Sequence, residues 1–221
     1  MNKKLIIIPD KELIKIPVKD NGEKMVCIKD FIPKVIINSP KYISDEGKKF
    51  VGQAATARIG LVKRLVIVQG LLPAGYKLFI RSAYRSLIVQ EKTYQKTYNK
   101  MKKNNPNWSL DKLKDEVSKF VAPLDIVPPH STGGAVDISI IGPDVRHLEM
   151  GTKMGQDTDL EKTRTDSNKI SKVAIKNRKL LVCVMTKAGF VNYPTEWWHW
   201  SYGDRYWAAK LRKRYSIYKG I

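Results

Sequence analysis

Pro129-His130-Ser131-Thr132-Gly133-Gly134-Ala135-Val136-Asp137, read together with Glu196-Trp197-Trp198-His199, decides how this chain is understood. The sequence has three histidines, and two of them stand in these stretches. Catalytic zinc takes three protein ligands from His, Asp, Glu or Cys and leaves a further position for water. His130, Asp137 and His199 supply such a set, and Glu196 stands where it could take a proton from that water. The chemistry implied is metal-assisted hydrolysis.

Spacing alone makes the set possible rather than necessary. His130 and Asp137 are seven apart, an odd separation that would send them to opposite faces of an unbroken strand. Gly133-Gly134 permits a turn between them. Glu196 and His199 carry the same parity problem, which a bend after Pro194 or a bulge would resolve. Taken singly each motif has a plainer reading: a hydrogen-bonded histidine, a structural aspartate, a glutamate paired with a lysine. Trp197, Trp198 and Trp200 read as core or cleft wall rather than as a stacking platform for bases. His147 has no partner at ligand spacing and reads as surface or as support for a ligand.

Outward from the motifs, the pattern is that of one α+β domain over 1–221, a small central antiparallel sheet flanked by helices, with the zinc site in a cleft. Short extended pieces are expected at Leu13–Val18, Lys24–Ile28 and Val35–Ile37, with Asp20-Asn21-Gly22 as a turn. Helical spacing runs from about Val51 to Leu72, Gly75 stops it, and Tyr76–Ile80 is a strand ending at Arg81-Ser82-Ala83-Tyr84-Arg85. About 86–120 reads as a basic helical insertion, one helix opened by Ser86 and another capped by Ser109, with Asn104-Asn105-Pro106-Asn107 breaking between them. Pro123, Pro128 and Pro129 argue against helix just before His130. Ala135–Ile141 alternates as a strand, 143–167 is loop, and a long helix runs from about Asn168 to Lys187, closed by Gly189. Phe190–Tyr193 and Trp197–Tyr202 are strands around a Pro194-Thr195 turn, and the tail from Asp204 is helical and basic.

The 221 residues are 43% hydrophobic, enough for a core, and their formal net charge is +20. That balance admits nucleic acid, an anionic surface or an acidic wall polymer as partner. The lysines are scattered from Lys3 to Lys219 without a compact block, so most of the charge reads as solvated surface and a nucleic-acid partner is disfavoured. Cys27 and Cys183 read as two core thiols. The apolar run after Lys3-Lys4 is four residues, short of a secretory leader, and no stretch reaches the length of a membrane span. The expectation is a cytoplasmic protein without a membrane span, with a secreted or periplasmic one as the alternative.

Together, His130-Ser131-x-Gly133-x-Ala135-x-Asp137 and Glu196-Trp197-Trp198-His199 resemble the VanX-type D-alanyl-D-alanine dipeptidases among the zinc D-Ala-D-Ala metallopeptidases. Ala83-Tyr84-Arg85 after a strand, Met150-Gly151-Thr152 and Asn177-Arg178 leading to Gly189-Phe190 add to the resemblance, which spans roughly 25–205. It implies Zn²⁺ on His130, Asp137 and His199, Glu196 as the base that passes a proton to the leaving amine, and Arg85 facing the tetrahedral oxyanion. Arg81 is the competing arginine. Ser131, Tyr84, Asp157 and Trp198 are the candidate contacts to a small D-amino-acid peptide. Two departures stand out. The Phe-Asp pair that follows Met-Gly-[Ser/Thr] in strict dipeptidases is replaced by Lys153-Met154, leaving Asp157 as a substitute, and the serines before the first histidine are Pro128 and Pro129. The expected activity is hydrolysis of D-alanyl-D-alanine. The alternatives are D,D- or L,D-carboxypeptidase or endopeptidase action on peptidoglycan stem peptides and, from another class, a non-catalytic basic binding module.

Overall fold

A computed structural model describes residues 7–38, 55–118, 121, 126–155 and 159–221. In chain order, a helical turn α1 (Asp10–Leu13) precedes β1 (Met25–Cys27), the short helix α2 (Ile28–Phe31) and β2 (Ile36–Ile37). Then come β3 (Thr56–Arg58), α3 (Ile59–Leu71), β4 (Lys77–Ser82), α4 (Leu87–Asn104) and α5 (Leu110–Ser118). A 3₁₀ turn (Pro129–Thr132) leads into β5 (Ala135–Ile141), followed by α6 (Leu160–Thr163), α7 (Lys172–Lys187), β6 (Val191–Asn192), β7 (His199–Ser201) and α8 (Arg205–Lys210).

β5 is the axis of a five-stranded sheet ordered β2-β4-β5-β7-β6, while β1 and β3 form a separate antiparallel pair. The large sheet is antiparallel except at one edge, where β2 runs parallel to β4. The central strands thus form the expected antiparallel sheet, to which β2 adds a parallel edge. Alternation along β5 sorts its side chains. Val136, Ile138 and Ile140 enter the core with Leu61, Leu65 and Val68 of α3 and with Leu181, Val184 and Met185 of α7. Asp137 and Ser139 therefore point to the other face, where the site lies.

Most expected elements recur with shifted ends. Ser86 opens α4 by accepting from the Val89 amide, and Ser109 accepts from the Lys112 amide at the start of α5. Ser171 caps α7, so the helix begins at Lys172 instead of about Asn168. Gly189, at φ 87°, takes the left-handed conformation that closes it.

Other expectations are corrected. The region read as helix from about Val51 begins its helix only at Ile59, because Thr56–Arg58 pair with β1 instead; 51–54 lie outside the described residues. Leu13 closes a helical turn rather than opening a strand, with Ile14 and Leu13 amides bonded back to Asp10 and Pro9. Helix is not excluded before His130: Pro129 sits at the first position of the 3₁₀ turn, where the missing N–H has no partner to lose. Past Lys210 the basic tail leaves the helix. Cys183 is exposed on α7 and Cys27 only partly buried, so neither is a core thiol. No helix among the described residues is long and apolar enough to cross a membrane.

Candidate metal and catalytic site

The parity problem of the first motif is solved by the 3₁₀ turn. His130 lies within it, and Gly133, at φ 70°, turns the chain in the left-handed conformation before β5 begins. The turn is tied on several sides. The Ser131 amide donates to Pro128 O at 2.9 Å and the Thr132 hydroxyl to Pro129 O at 2.7 Å. Arg58 donates through Nε to Thr132 O and through its amide to Gly133 O. At Gly134 a Cβ would lie 2.5 Å from Tyr202 O, so only glycine fits between the turn and the β7 end.

The second motif is solved by a turn rather than by a strand. Strand β7 starts at His199, whose amide donates to Glu196 O at 3.1 Å, so the two residues are the ends of one tight turn. The Asn192 side chain donates to both Glu196 O and His199 O, holding that turn against β6. Asp137 and His199 are then direct cross-strand partners.

These placements bring one ligand atom from each of His130, Asp137 and His199 within 4.8 Å of one another, and all three residues are buried. Asp137 Oδ1 lies 3.3 Å from His130 Nε2 and 3.1 Å from His199 Nδ1. His130 Nδ1 is 2.6 Å from Ala83 O, so that nitrogen carries the proton and donates, leaving Nε2 as the free donor atom. Burial pushes the Asp137 carboxyl up, but His130 and His199 outweigh it and hold it well below the usual carboxylate range. Burial also holds the His130 imidazole below its ordinary value. Two imidazoles, one of them oriented by a carbonyl, and one ionised carboxylate match the nitrogen and oxygen donors that zinc takes.

Glu196 is partly buried beside this set. Burial raises its carboxyl to about 7, with Asp137 adding to the rise while His199, Arg85 and Arg81 oppose it. Arg85 is anchored twice: its amide donates to His130 O at 3.2 Å, and Nη1 donates to the Gln90 side-chain oxygen at 2.9 Å. Gln90 is buried in the first turn of α4.

The remaining candidates scatter. Ser131 is buried, and its Oγ has no hydrogen-bond partner among the described residues. The Tyr84 hydroxyl donates to Ile221 O at 2.9 Å. Trp198 is buried edge-on to Trp197. Asp157 lies outside the described residues. His147 is exposed and meets the ring of Phe79 edge-on, consistent with its reading as surface.

The supporting roles of four residues escaped the motif reading, although Ala83 and Arg178 stand in stretches that carried the resemblance. Ala83 contributes only its carbonyl and Gln90 stands in a helix with no motif, so neither role carries a signal in the sequence. Tyr193 sets its ring against His199 and is pushed up to about 12 by burial. Arg178 is buried and donates to Met150 O and Arg164 O, while the Trp197 indole donates to Thr152 Oγ1 at 2.9 Å. Burial lowers the Arg178 guanidinium to about 10. The Met150-Gly151-Thr152 stretch is thereby fixed beside the residue that follows Glu196.

Residues 44–219 match the family described as D-ala-D-ala dipeptidase. The chain belongs to that family. This D-ala-D-ala dipeptidase family member is 25% identical, over 96% of its length and 95% of the relative's, to the D-alanyl-D-alanine dipeptidase of Synechocystis sp. (strain ATCC 27184 / PCC 6803 / Kazusa). It is 32% identical to the D-alanyl-D-alanine dipeptidase of Escherichia coli (strain K12) over a shorter stretch, 37% of this chain and 41% of that one. Among solved structures it is similar to VanYB in complex with D-alanine-D-alanine, at TM-score 0.46 and 19% identity, covering 72% of this chain and 77% of that one. It is also similar to the LdcB LD-carboxypeptidase, at TM-score 0.47 and 19% identity, covering 86% and 73%. The family member is a metallopeptidase, and its His130, Asp137 and His199 bring together donor atoms that could hold a metal ion.

Proposed function

We propose that this protein hydrolyses D-alanyl-D-alanine with zinc held by His130, Asp137 and His199 and with Glu196 as general base. The observation that carries the reading is the convergence of the three donor atoms within 4.8 Å, with Glu196 one tight turn from His199. Zinc bound by this set supplies Lewis acidity, lowering the pKa of water to about 7 and polarising a carbonyl.

The chain's own residues do the rest. The carboxylate of Glu196 takes the proton of the attacking water and gives it to the leaving nitrogen as the C–N bond breaks. Burial raises this carboxyl above the ordinary carboxylate range, which favours its handing the proton on to the leaving nitrogen. Arg85, held by Gln90, donates to the scissile carbonyl oxygen as it gains charge; such a donor contributes about 3–4 kcal/mol. His130 is kept in the ligating tautomer by Ala83 O.

The test is release of D-alanine from D-Ala-D-Ala by the purified protein, with zinc measured on the same sample and Glu196→Ala alongside. Turnover with zinc near one per chain, lost in the variant, supports the reading. Zinc without turnover of the dipeptide, but with D-alanine released from a stem pentapeptide, would replace it by carboxypeptidase action. A protein that takes up no zinc overturns it.

A further inference from the structure

The surface cations are scattered along the sequence, but the fold gathers some of them. Segments 14–19 and 210–216 come from opposite ends of the sequence and run side by side. Val18 and Ser216 form a parallel bridge, the Ser216 amide donates to Pro17 O at 3.0 Å, and the Lys19 amide donates to Ser216 O at 2.9 Å. Arg205 adds a bond from Nε to Ile16 O, and α1 packs against α8.

The face so formed is basic and apolar at once. Lys210, Leu211, Arg212, Lys213, Arg214 and Tyr215 are consecutive exposed residues, and Ile14, Val18 and Lys19 are exposed on the neighbouring segment. Ile14, Val18, Leu211 and Tyr215 keep between 37% and 48% of their surface in water. Among the described residues Lys19, Lys210, Arg212, Lys213 and Arg214 have no acidic partner. The acids of 10–19 are Asp10 and Glu12, Glu12 is taken by Lys15, and 205–221 contains none. Lys19 Nζ lies 4.8 Å from the centre of the Tyr215 ring, so cation and aromatic share one spot.

The backbone of the same loop supplies a second observation. Helix α8 closes with the Lys213 amide donating to Ala208 O at 2.8 Å and the Arg212 amide to Ala209 O at 3.1 Å. That pair of bonds puts Arg212 in the left-handed conformation, at φ 52°, where glycine is the usual occupant and fits without strain. A cation is thus kept at a position where the fold alone favours glycine. Outliers of this kind point to a role other than stability.

A dissolved polyanion would use the cations but leave Leu211, Val18 and Ile14 in water. An anionic lipid surface uses both, since headgroup phosphates meet the cations while apolar side chains enter the boundary beneath them. We propose that the face formed by 14–19 and 210–215 docks on an anionic membrane surface. The protein lies on that surface without spanning it.

The test is sedimentation of the full chain with vesicles of phosphatidylcholine, and with vesicles of phosphatidylcholine and phosphatidylglycerol in equal parts; duplex DNA serves as a soluble polyanion. The anionic vesicles should bind the protein at least about 10-fold tighter than the neutral ones, and added salt should weaken the binding. Arg212→Gly should bind anionic vesicles about fivefold more weakly, the share of one cation, while its denaturant midpoint rises. Leu211→Ser with Tyr215→Ser should weaken vesicle binding about 10-fold and leave DNA binding unchanged, with the far-UV spectrum as the check on folding. Equal binding to both kinds of vesicle, or binding to neither, overturns the proposal. So does vesicle binding that falls with Arg212→Gly but ignores Leu211 and Tyr215, which would make the face a site for soluble polyanions. No turnover is measured, so these outcomes are independent of the hydrolytic reading.

Discussion

The ligand strands and the α4–α5 pair are built on opposite principles. Every residue of β5 is buried, strands pair with it on both sides, and the His130 turn before it is bonded through Pro128, Arg58 and Ala83. Along the 18 residues of α4 only Gln90 is buried, and α5 adds Leu113 and Val117. Yet Gln90 reaches the chemistry, since it holds Arg85. Over-determined packing fixes the metal ligands, whereas the outer helices reach the site through the hydrogen bond from Arg85 to Gln90. Perturbing the first region should thus abolish the site, and perturbing the second should detune it.

The largest effect tests the first half of that contrast. Removal of metal by a chelator, or His199→Ala, should remove all measurable D-alanine release, with zinc addition restoring only the chelated wild type; metal analysis and turnover on one sample check it. Next is Glu196→Gln, expected to lower kcat by about 10²–10⁴-fold while zinc content stays near that of wild type. A variant that also lost its metal would make Glu196 part of the ligand framework and blur the comparison.

Gln90→Ala sharpens the second half. Loss of the hydrogen bond to Arg85 should lower kcat/KM by about 10-fold without changing zinc content or the far-UV spectrum. Ile88, two residues earlier and 66% exposed, is the control: Ile88→Ser should stay within about 0.5 kcal/mol in denaturant unfolding and leave turnover unchanged. A smaller, stabilising effect is expected at Val145, a β-branched residue at φ 62° in an exposed turn. Val145→Gly should raise stability by about 1 kcal/mol, read as a higher denaturant midpoint at unchanged slope.

The same contrast explains what the sequence disclosed. His130, Asp137, Glu196 and His199 were legible because their chemistry restricts residue type and because Gly133 and Pro194 mark the turns between them. The strand Ala135–Ile141 was legible from its alternation. Strand ends were not: Trp197 and Trp198 read as strand but belong to the turn that brings Glu196 back to His199, a pairing made by backbone groups common to all residues. The β3 strand was hidden in an apolar run that also suits a helix, and its pairing with the distant β1 decided the matter. The support from Ala83 could not be read at all, because a carbonyl is present at every position.

Asp137 and His199 meet across a strand pair although 62 residues separate them. Their geometry is consequently insulated from the length of much of the chain between them. The exposed turn from Pro143 to Arg146 is closed by Gly142 donating to Arg146 O, and it lies at the end of β5 away from Asp137. A reporter peptide or an entire guest domain spliced into that turn would leave both ligands in register. One extra residue between Gly133 and Val136 would instead rotate Asp137 to the core face and erase the site.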